Sequence, residues 1–283
     1  MTGLRLRVLV NVVLLLLVAG LAVFIWLDPW GQPPPAEEKL SAIDPTRVVR
    51  VRIEGPKREP IELRRASAVW RLVVPLSLPA NENRVAALLG LAAAKVHDGF
   101  RAEGNDLKEF GLEPPKARVL LNDHEFLFGD TESLNGWRYV LYGPDVHLIT
   151  DAYYHHLLAT PAAFVDPAPI GVDSRPVAFI LSSAKLRLEN GSWQIEPPKA
   201  GWSADSGNRL AQAWKSARAA SVKRFDPTLD WSQTIQVELN GEPVPLRFQV
   251  ARLEHELVIG RPQWKVQYQF PKRAGLRLVE LGD

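Results

Sequence analysis

The sequence predicts an α+β fold: an N-terminal transmembrane helix, then two similar halves, each an antiparallel sheet with one packed helix. Three observations lead to this prediction. Residues 8–27 form an apolar run, later segments alternate apolar and polar residues as half-buried strands do, and the order of those segments occurs twice. With 283 residues, 46% of them hydrophobic and 23% charged, the chain can build a sizeable core.

The apolar run contains one polar side chain, that of Asn11. As a helix, residues 8–27 would be about 30 Å long, which matches the hydrocarbon core of a bilayer. Arg5 and Arg7 precede the run, so the positive-inside rule keeps residues 1–7 in the cytoplasm and places the rest of the chain in the periplasm. We therefore predict a single-pass signal anchor in a bacterial inner membrane, with the lipid bilayer as a partner of residues 8–27.

A cleaved signal peptide is the alternative for this segment. The small residues Ala19, Gly20 and Ala22 suit a signal peptidase. The apolar run continues to Leu27, however, so cleavage would leave an apolar N-terminus, and an uncleaved anchor is favoured. Residues 28–42 follow as a proline-rich spacer, in which three consecutive prolines favour an extended, semi-rigid segment.

The remaining chain divides into two α+β repeats, residues 43–166 and 176–283. In each, three strand-like runs come first, then a helical stretch, then further strands. The third run contains Trp70 in the first repeat and Trp193 in the second, and the two tryptophans are separated by nearly the same distance as the Asn-Arg pairs that open the helices. The agreement in order and spacing indicates an internal duplication. The segment 162–175 between the repeats is either a hinge or a fixed corner.

Helices are predicted over residues 83–96 and 208–223, and Asn190-Gly191 and Asn240-Gly241 predict hairpin turns. The second helix carries the cations Arg209, Lys215 and Arg218 and no acidic residue. One interpretation is a docking face for an acidic partner or for lipid headgroups. The other is a solvated face whose cations lie near the helix C-terminus, where the dipole favours them.

Aromatic side chains suggest a second kind of contact. Five tryptophans fall in the second repeat, and exposed tryptophans stack on sugars or fill partner pockets. Trp202 lies in a loop, where burial is less assured than in a strand. The candidate partner-contact residues are therefore Trp202, Arg209, Lys215 and Arg218.

The chain contains few groups that point to chemistry. There is no cysteine, which excludes disulfides, thiolate metal sites and cysteine nucleophiles. Neither a Gly-x-Ser-x-Gly motif nor a phosphate-binding loop occurs. Asp151 and His155 have the spacing of metal ligands on a helix, but a third ligand is missing, and the alternative is a surface helix capped by Thr150 or Asp151. We predict no catalytic, cofactor-binding or metal-binding residue, and the net charge of +2 argues against a nucleic-acid partner.

The segment Phe110-Gly111-Leu112-Glu113-Pro114-Pro115, followed by Phe126-Leu127-Phe128-Gly129-Asp130, resembles an uncharacterised bacterial membrane-anchored family called domain of unknown function forty-three forty. The resemblance covers roughly residues 43–165, with a fainter echo in the second repeat, and Phe110 stands where the family usually has tyrosine. It implies an envelope protein, since some members resemble auxiliary parts of gliding-motility-type ABC export systems. It carries over no catalytic residue.

Together these observations predict a membrane-anchored periplasmic protein of unknown biochemical activity. The favoured function is a non-catalytic interaction module, accessory to an envelope or ABC-type transport assembly, with membrane or envelope proteins as partners. One alternative is a protein that binds cell-wall or surface glycan. The other is an enzyme with an unrecognised site.

Overall fold

The computed structural model describes residues 2–27 and 38–281; within the N-terminal helix, the side chains of residues 2–8 and 25–27 are not described. The chain separates into two compact units, Met1–Glu38 and Lys39–Asp283. Most of the predicted proline-rich spacer, residues 28–37, lies outside the described residues.

The first unit contains the predicted N-terminal helix, α1, which covers Thr2–Leu27. Across the part of the chain that the structure describes, no helix combines the length and the apolar character needed to cross a membrane. The structure therefore supports an N-terminal helix without supporting its predicted transmembrane character.

The second unit begins with an antiparallel sheet of nine strands, in the order β4-β3-β2-β1-β6-β7-β8-β9-β5. Alternating apolar residues of the central strands, such as Val51 and Ile53, point into the core, while Arg50 and Arg52, which alternate with them, point away from it. The strands are β1 Arg50–Glu54, β2 Ile61–Ala66, β3 Val69–Val74, β4 Leu78–Pro79, β5 Val96–Arg101, β6 Ala117–Leu121, β7 His124–Thr131, β8 Arg138–Tyr142 and β9 Asp145–Ile149.

A second antiparallel sheet of eight strands follows, in the order β12-β11-β10-β14-β15-β16-β17-β13. Its strands are β10 Pro176–Ile180, β11 Lys185–Glu189, β12 Ser192–Glu196, β13 Ser221–Arg224, β14 Gln233–Leu239, β15 Leu246–Arg252, β16 Glu256–Arg261 and β17 Val266–Pro271. When the two-residue strand β4 is set aside, both sheets have the same strand order. This shared topology is compatible with the predicted internal repeat.

Two helices accompany each sheet. They are α2 Glu82–Leu89 and α3 Tyr154–Leu157 in the first half, and α4 Ala204–Ser216 and α5 Lys272–Val279 in the second. Short 3-10 turns cover Pro45–Arg47, Gly90–Ala93, Pro161–Phe164 and Pro262–Trp264. The α+β class is confirmed, but the prediction of one packed helix per half is incomplete.

The predicted helices are also too long at their C-terminal ends. Val96, the last residue of the first predicted helix, begins β5, and residues 221–223, the end of the second predicted helix, lie in β13. Each of these strands pairs with the last strand of its sheet, β9 or β17. Pairing between distant segments thus overrides local helical periodicity, which a single sequence does not reveal.

The two halves share one hydrophobic core. A single cluster of buried residues includes Trp70 of the first half and both Trp193 and Trp214 of the second. The segment between the halves is hydrogen-bonded to both, because Asp166 N–H donates to Pro79 O at 2.9 Å and Ala219 N–H donates to Pro167 O at 2.9 Å. Of the two alternatives for residues 162–175, these bonds favour a fixed corner.

Candidate functional site

A groove between α4 and α5 is the strongest candidate for a binding site in the second half. It has a volume of about 690 Å³. Its floor is apolar and its rim carries three guanidinium groups. We call it the helix groove; its buried floor includes Leu210, Phe270 and Leu278, and its exposed rim includes Arg209, Arg218 and Arg277.

The first wall of the groove, α4, is positioned by its packing on β12. Leu210 and Trp214, four residues apart, lie on one helical face and are buried. Gly207 on the same side lies directly against the ring of Trp193, where a Cβ atom would collide with it. At the helix start, Ser203 N–H donates to Ser206 Oγ at 3.4 Å.

The second wall, α5, is held against α4 by a buried hydrogen bond. The indole Nε1–H of Trp214 donates to Leu278 O at 2.9 Å. In the same helix, Gly275 lies against the side chain of Leu257 on β16. Both walls are therefore fixed by core contacts, so the groove is present before any ligand arrives.

The charge at the rim of the groove is positive. Arg209 donates to Ser206 Oγ at 3.0 Å, and Arg218 donates to Ala217 O at 2.7 Å. Glu280 also lines the groove, but its carboxylate is paired with Arg252 at 2.8 Å. Among the described residues that line the groove, three are arginines and one is a carboxylate, which is paired with a cation outside the groove.

This arrangement suits a ligand that carries both carboxylates and an apolar side chain. Guanidinium groups form strong, charge-assisted hydrogen bonds with carboxylates, and the buried floor offers apolar contact area. Among residues 2–27 and 38–281, no three histidine or acidic side chains come together as a metal site would require.

A family model described as domain of unknown function, DUF4340, matches residues 70–249 of this chain, which is more than half of it. The chain belongs to the DUF4340 family. The matched segment runs from β3 of the first half to β15 of the second, so it includes α4 and extends beyond the resemblance expected from the sequence. Neither the comparison with curated proteins nor that with solved structures gives a match.

The residues that resemble DUF4340 in the sequence have a structural explanation. Gly111 has a φ of +64°, and a Cβ atom there would meet the carboxylate of Asp130. Asp130 N–H donates to Phe110 O at 2.8 Å. The Phe110 ring packs 4.9 Å from that of Tyr139 on β8. In this DUF4340 chain the motif therefore ties the loop before β6 to the sheet.

The structure brings two of the four predicted contact residues together. Arg209 and Arg218 both line the helix groove. Lys215 is exposed on α4 but does not belong to the groove lining, and Trp202 lies outside it, half-buried against the core with the Lys199 ammonium 4.9 Å from its ring centroid. Sequence reasoning missed Arg277, because the second repeat was expected to end in strands rather than in a helix.

The tryptophans of the second half are mainly core residues. Trp193 and Trp214 are buried. Trp231 stacks on Phe225 at 4.9 Å, and Trp264 lies 3.2 Å below the guanidinium of Arg261. None of the five tryptophans in the described part of this half is fully exposed.

Asp151 and His155, whose spacing in the sequence would suit two metal ligands on a helix, are not paired in the structure. Asp151 accepts two hydrogen bonds from Arg138, at 2.7 and 2.8 Å, and the His155 ring contacts that of His156 in a tilted arrangement, with centroids 3.9 Å apart. The alternative prediction, that Thr150 or Asp151 caps this helix, is wrong, because the N-cap position of α3 is Tyr153.

In the first half, side chains of α2 and α3 contact each other. In the second half, the corresponding helices α4 and α5 have the helix groove between them. Arg84 of α2 lies 3.4 Å from His156 Nδ1 of α3. Burial, the neighbouring His155 and the Arg84 guanidinium together lower the pKa of His156. A neutral ring is therefore favoured, and its Nδ1 is suited to accept a hydrogen bond from Arg84.

Proposed function

We propose that this DUF4340 protein is a membrane-anchored, non-catalytic interaction module, accessory to an envelope or ABC-type transport assembly. In this proposal the exported domain uses the helix groove to bind an acidic segment of a partner membrane or envelope protein. The observation that carries the proposal is a preformed groove of about 690 Å³ with an apolar floor and an arginine rim.

The groove supports a peptide ligand in both size and chemistry. An acidic segment would place carboxylates beside Arg209, Arg218 and Arg277 and an apolar side chain over Leu278. Charged groups at such a rim steer the partner and select it by sign, while the buried floor excludes water.

The groove favours binding over acyl transfer. Ser206 and Ser216 line it, but its described lining contains no histidine that would activate either hydroxyl as a nucleophile.

The anchor and the periplasmic location rest on the sequence. The apolar run of residues 8–27 follows Arg5 and Arg7, which favours a cytoplasmic N-terminus and an exported domain. No helix in the described part of the chain qualifies as a membrane span.

Crosslinking in native membranes tests the groove. A photoactivatable amino acid replaces Gln212, an exposed residue that lines the groove, in the full-length chain. We expect one envelope or membrane protein to be crosslinked through an acidic segment. Arg218→Glu should reduce the yield of that adduct roughly tenfold, which corresponds to ~1.4 kcal/mol of binding free energy.

Lys215→Glu is the matched control, because it reverses the same charge in the last turn of α4 at an exposed position outside the groove. It should leave the adduct nearly unchanged, whereas Arg277→Glu on α5 should reduce it as Arg218→Glu does. No adduct at Gln212, or an equal loss in Lys215→Glu and Arg218→Glu, would contradict the groove as the binding site.

A further inference from the structure

Three arginines form a row across the outer face of the first sheet. Arg50 of β1 lies directly opposite Arg64 of β2, and Arg64 lies directly opposite Arg71 of β3. Each follows or precedes a buried residue of its strand, so all three point away from the core. We call Arg50, Arg64 and Arg71 the arginine row.

The arginine row is only partly neutralised. Glu62 lies 2.7 Å from Arg64 Nε, 3.4 Å from Arg50 Nε and 3.5 Å from Arg52 Nη1, and Glu54 pairs with Arg52 at 2.6 Å. Three guanidinium groups, those of Arg50, Arg52 and Arg64, thus share two carboxylates.

Within residues 38–281, the side chains of two arginines of the row, Arg50 and Arg71, donate no hydrogen bond, although Arg50 Nε lies 3.4 Å from the Glu62 carboxylate. Arg71 is exposed and has no ion pair within the described residues. Like charges directly opposite one another destabilise a sheet, so the Arg64–Arg71 pair, in which Arg71 has no carboxylate partner among the described residues, lowers the stability of the sheet.

The second half provides an internal comparison. At the same three register positions, β10, β11 and β12 carry Ala178, Arg187 and Gln194. The one arginine that remains there is balanced by Glu238 at 3.6 Å. The same strand order therefore forms without an arginine row, which argues that the row serves binding rather than folding.

An apolar side chain accompanies the row. Val69 lies two residues before Arg71 on β3, hence on the same face, and is 55% exposed. Protein surfaces that dock on anionic bilayers typically combine cations with exposed apolar residues in this way.

We propose that the arginine row docks the domain on a bilayer surface through anionic phospholipid headgroups. Guanidinium groups bind phosphate oxygens in bidentate fashion, and a row across three strands matches a layer of headgroups better than a single small ion. The inference rests in part on the proposed anchor, which would keep a bilayer within reach of the domain.

The test uses site-specific fluorescence, which is simple because the chain has no cysteine. Ser67→Cys places an environment-sensitive label at the turn between β2 and β3, beside the row. Asn190→Cys places the same label at the equivalent turn between β11 and β12; both residues have a positive φ, 59° and 49°. The full-length chain is placed in nanodiscs of phosphatidylcholine alone or with phosphatidylglycerol.

We expect the label at position 67, and not that at position 190, to shift to the blue when phosphatidylglycerol is present. High salt should reverse the shift, because it screens exposed charges. Arg71→Glu, which disrupts no ion pair among residues 38–281, should reduce the docked fraction about tenfold or more. Gln194→Glu, at the same register position of the second sheet, should have no effect.

Incorporation into neutral nanodiscs reports on the anchor separately. If the chain enters neutral discs but position 67 responds equally to both lipids, or Arg71→Glu docks as well as the parent, the docking inference is wrong while the anchor stands. If the chain does not enter discs, the anchor is wrong, and the same labels are then read on adding phosphatidylglycerol vesicles. A shift at position 67 that Arg71→Glu abolishes supports the row in that case, and its absence overturns it.

Discussion

Arg138 lies at the start of β8, where its guanidinium group is enclosed on several sides. It donates to both carboxylate oxygens of Asp151 and to the carbonyl of Gly129, and it lies 3.7 Å from the ring centre of Tyr154. Its side chain is 9% exposed. A cation with so little hydration depends on its partners, because an uncompensated buried charge costs several kcal/mol.

Asp151→Ala should therefore destabilise the protein by about 2–3 kcal/mol, less than for a fully buried pair because the aspartate side chain is partly exposed. Asp145→Ala is the control: Asp145 pairs with Arg101 at 3.1 Å on the surface, where such pairs contribute at most about 1 kcal/mol. Urea denaturation of both variants measures the difference. Equal losses of unfolding free energy in the two variants would show that the enclosure of Arg138 does not increase the destabilisation caused by removing its partner.

The sequence did not reveal this pair. In the sequence, Asp151 has helical spacing to His155. Its actual partner is Arg138, which belongs to the strand β8. Arg277 was missed for a similar reason, since only the contact of α5 with α4 brings it beside Arg209 and Arg218. Arg209 and Arg218 were found because both belong to one segment whose charge is visible without knowledge of the fold.

At the scale of secondary-structure elements, the helix α4 packs unusually close to the strand β12. Gly207 of the helix lies against the ring of Trp193, so the space that a methyl group would need is occupied. Glycine inside a helix normally lowers stability by about 1 kcal/mol relative to alanine. Here the close packing against the sheet offsets that cost.

Gly207→Ala should consequently destabilise the protein, by about 1–3 kcal/mol, although alanine is the better helix former. The neighbouring change Asn208→Ala, at an exposed position of the same helix, should be neutral or slightly stabilising. Thermal unfolding followed by circular dichroism compares the two. A gain in stability for Gly207→Ala would mean that the Trp193 side chain moves easily to accommodate a methyl group and that the contact between α4 and β12 is not tight.

The elements that the sequence predicted well are those with local signals. Asn190-Gly191, with φ values of 49° and 81°, forms the turn between β11 and β12 as expected, and the predicted second helix is present, with Leu210 and Trp214 buried on one face. The two predicted helices extend into β5 and β13 because each is an edge strand stabilised by a partner far along the chain. The helix α5 was missed because a strand-rich repeat gave no reason to expect one at its end.

At the scale of the whole molecule, the unit Lys39–Asp283 contains both sheets. The cluster of buried residues is continuous from Val51 of the first sheet to Tyr268 of the second. The connecting segment contributes to both halves, since Asn81 N–H donates to Phe164 O and Asn240 N–H donates to Arg175 O, each at 2.8 Å. Separating the halves would expose core surface and break these bonds.

Limited proteolysis of the full-length chain should therefore give one resistant product that contains both halves, with no stable half-size fragment. Denaturant unfolding should show one transition for the domain, because neither half keeps its core alone. Mass spectrometry of the digestion products identifies the cut sites. A cut within residues 162–175 followed by survival of either half would show a hinge.

The strand order has a consequence for how the chain acquires its structure. In each sheet the fourth main strand, β5 or β13, lies at the edge and pairs only with the last strand, β9 or β17. A polypeptide made from its N-terminus thus produces each of these strands well before its partner exists. Contacts between segments that are distant in sequence slow folding. An unpaired strand edge can also form hydrogen bonds with other chains. Each half is therefore most vulnerable to misassembly in the time between the synthesis of its fourth main strand and the synthesis of its final strand.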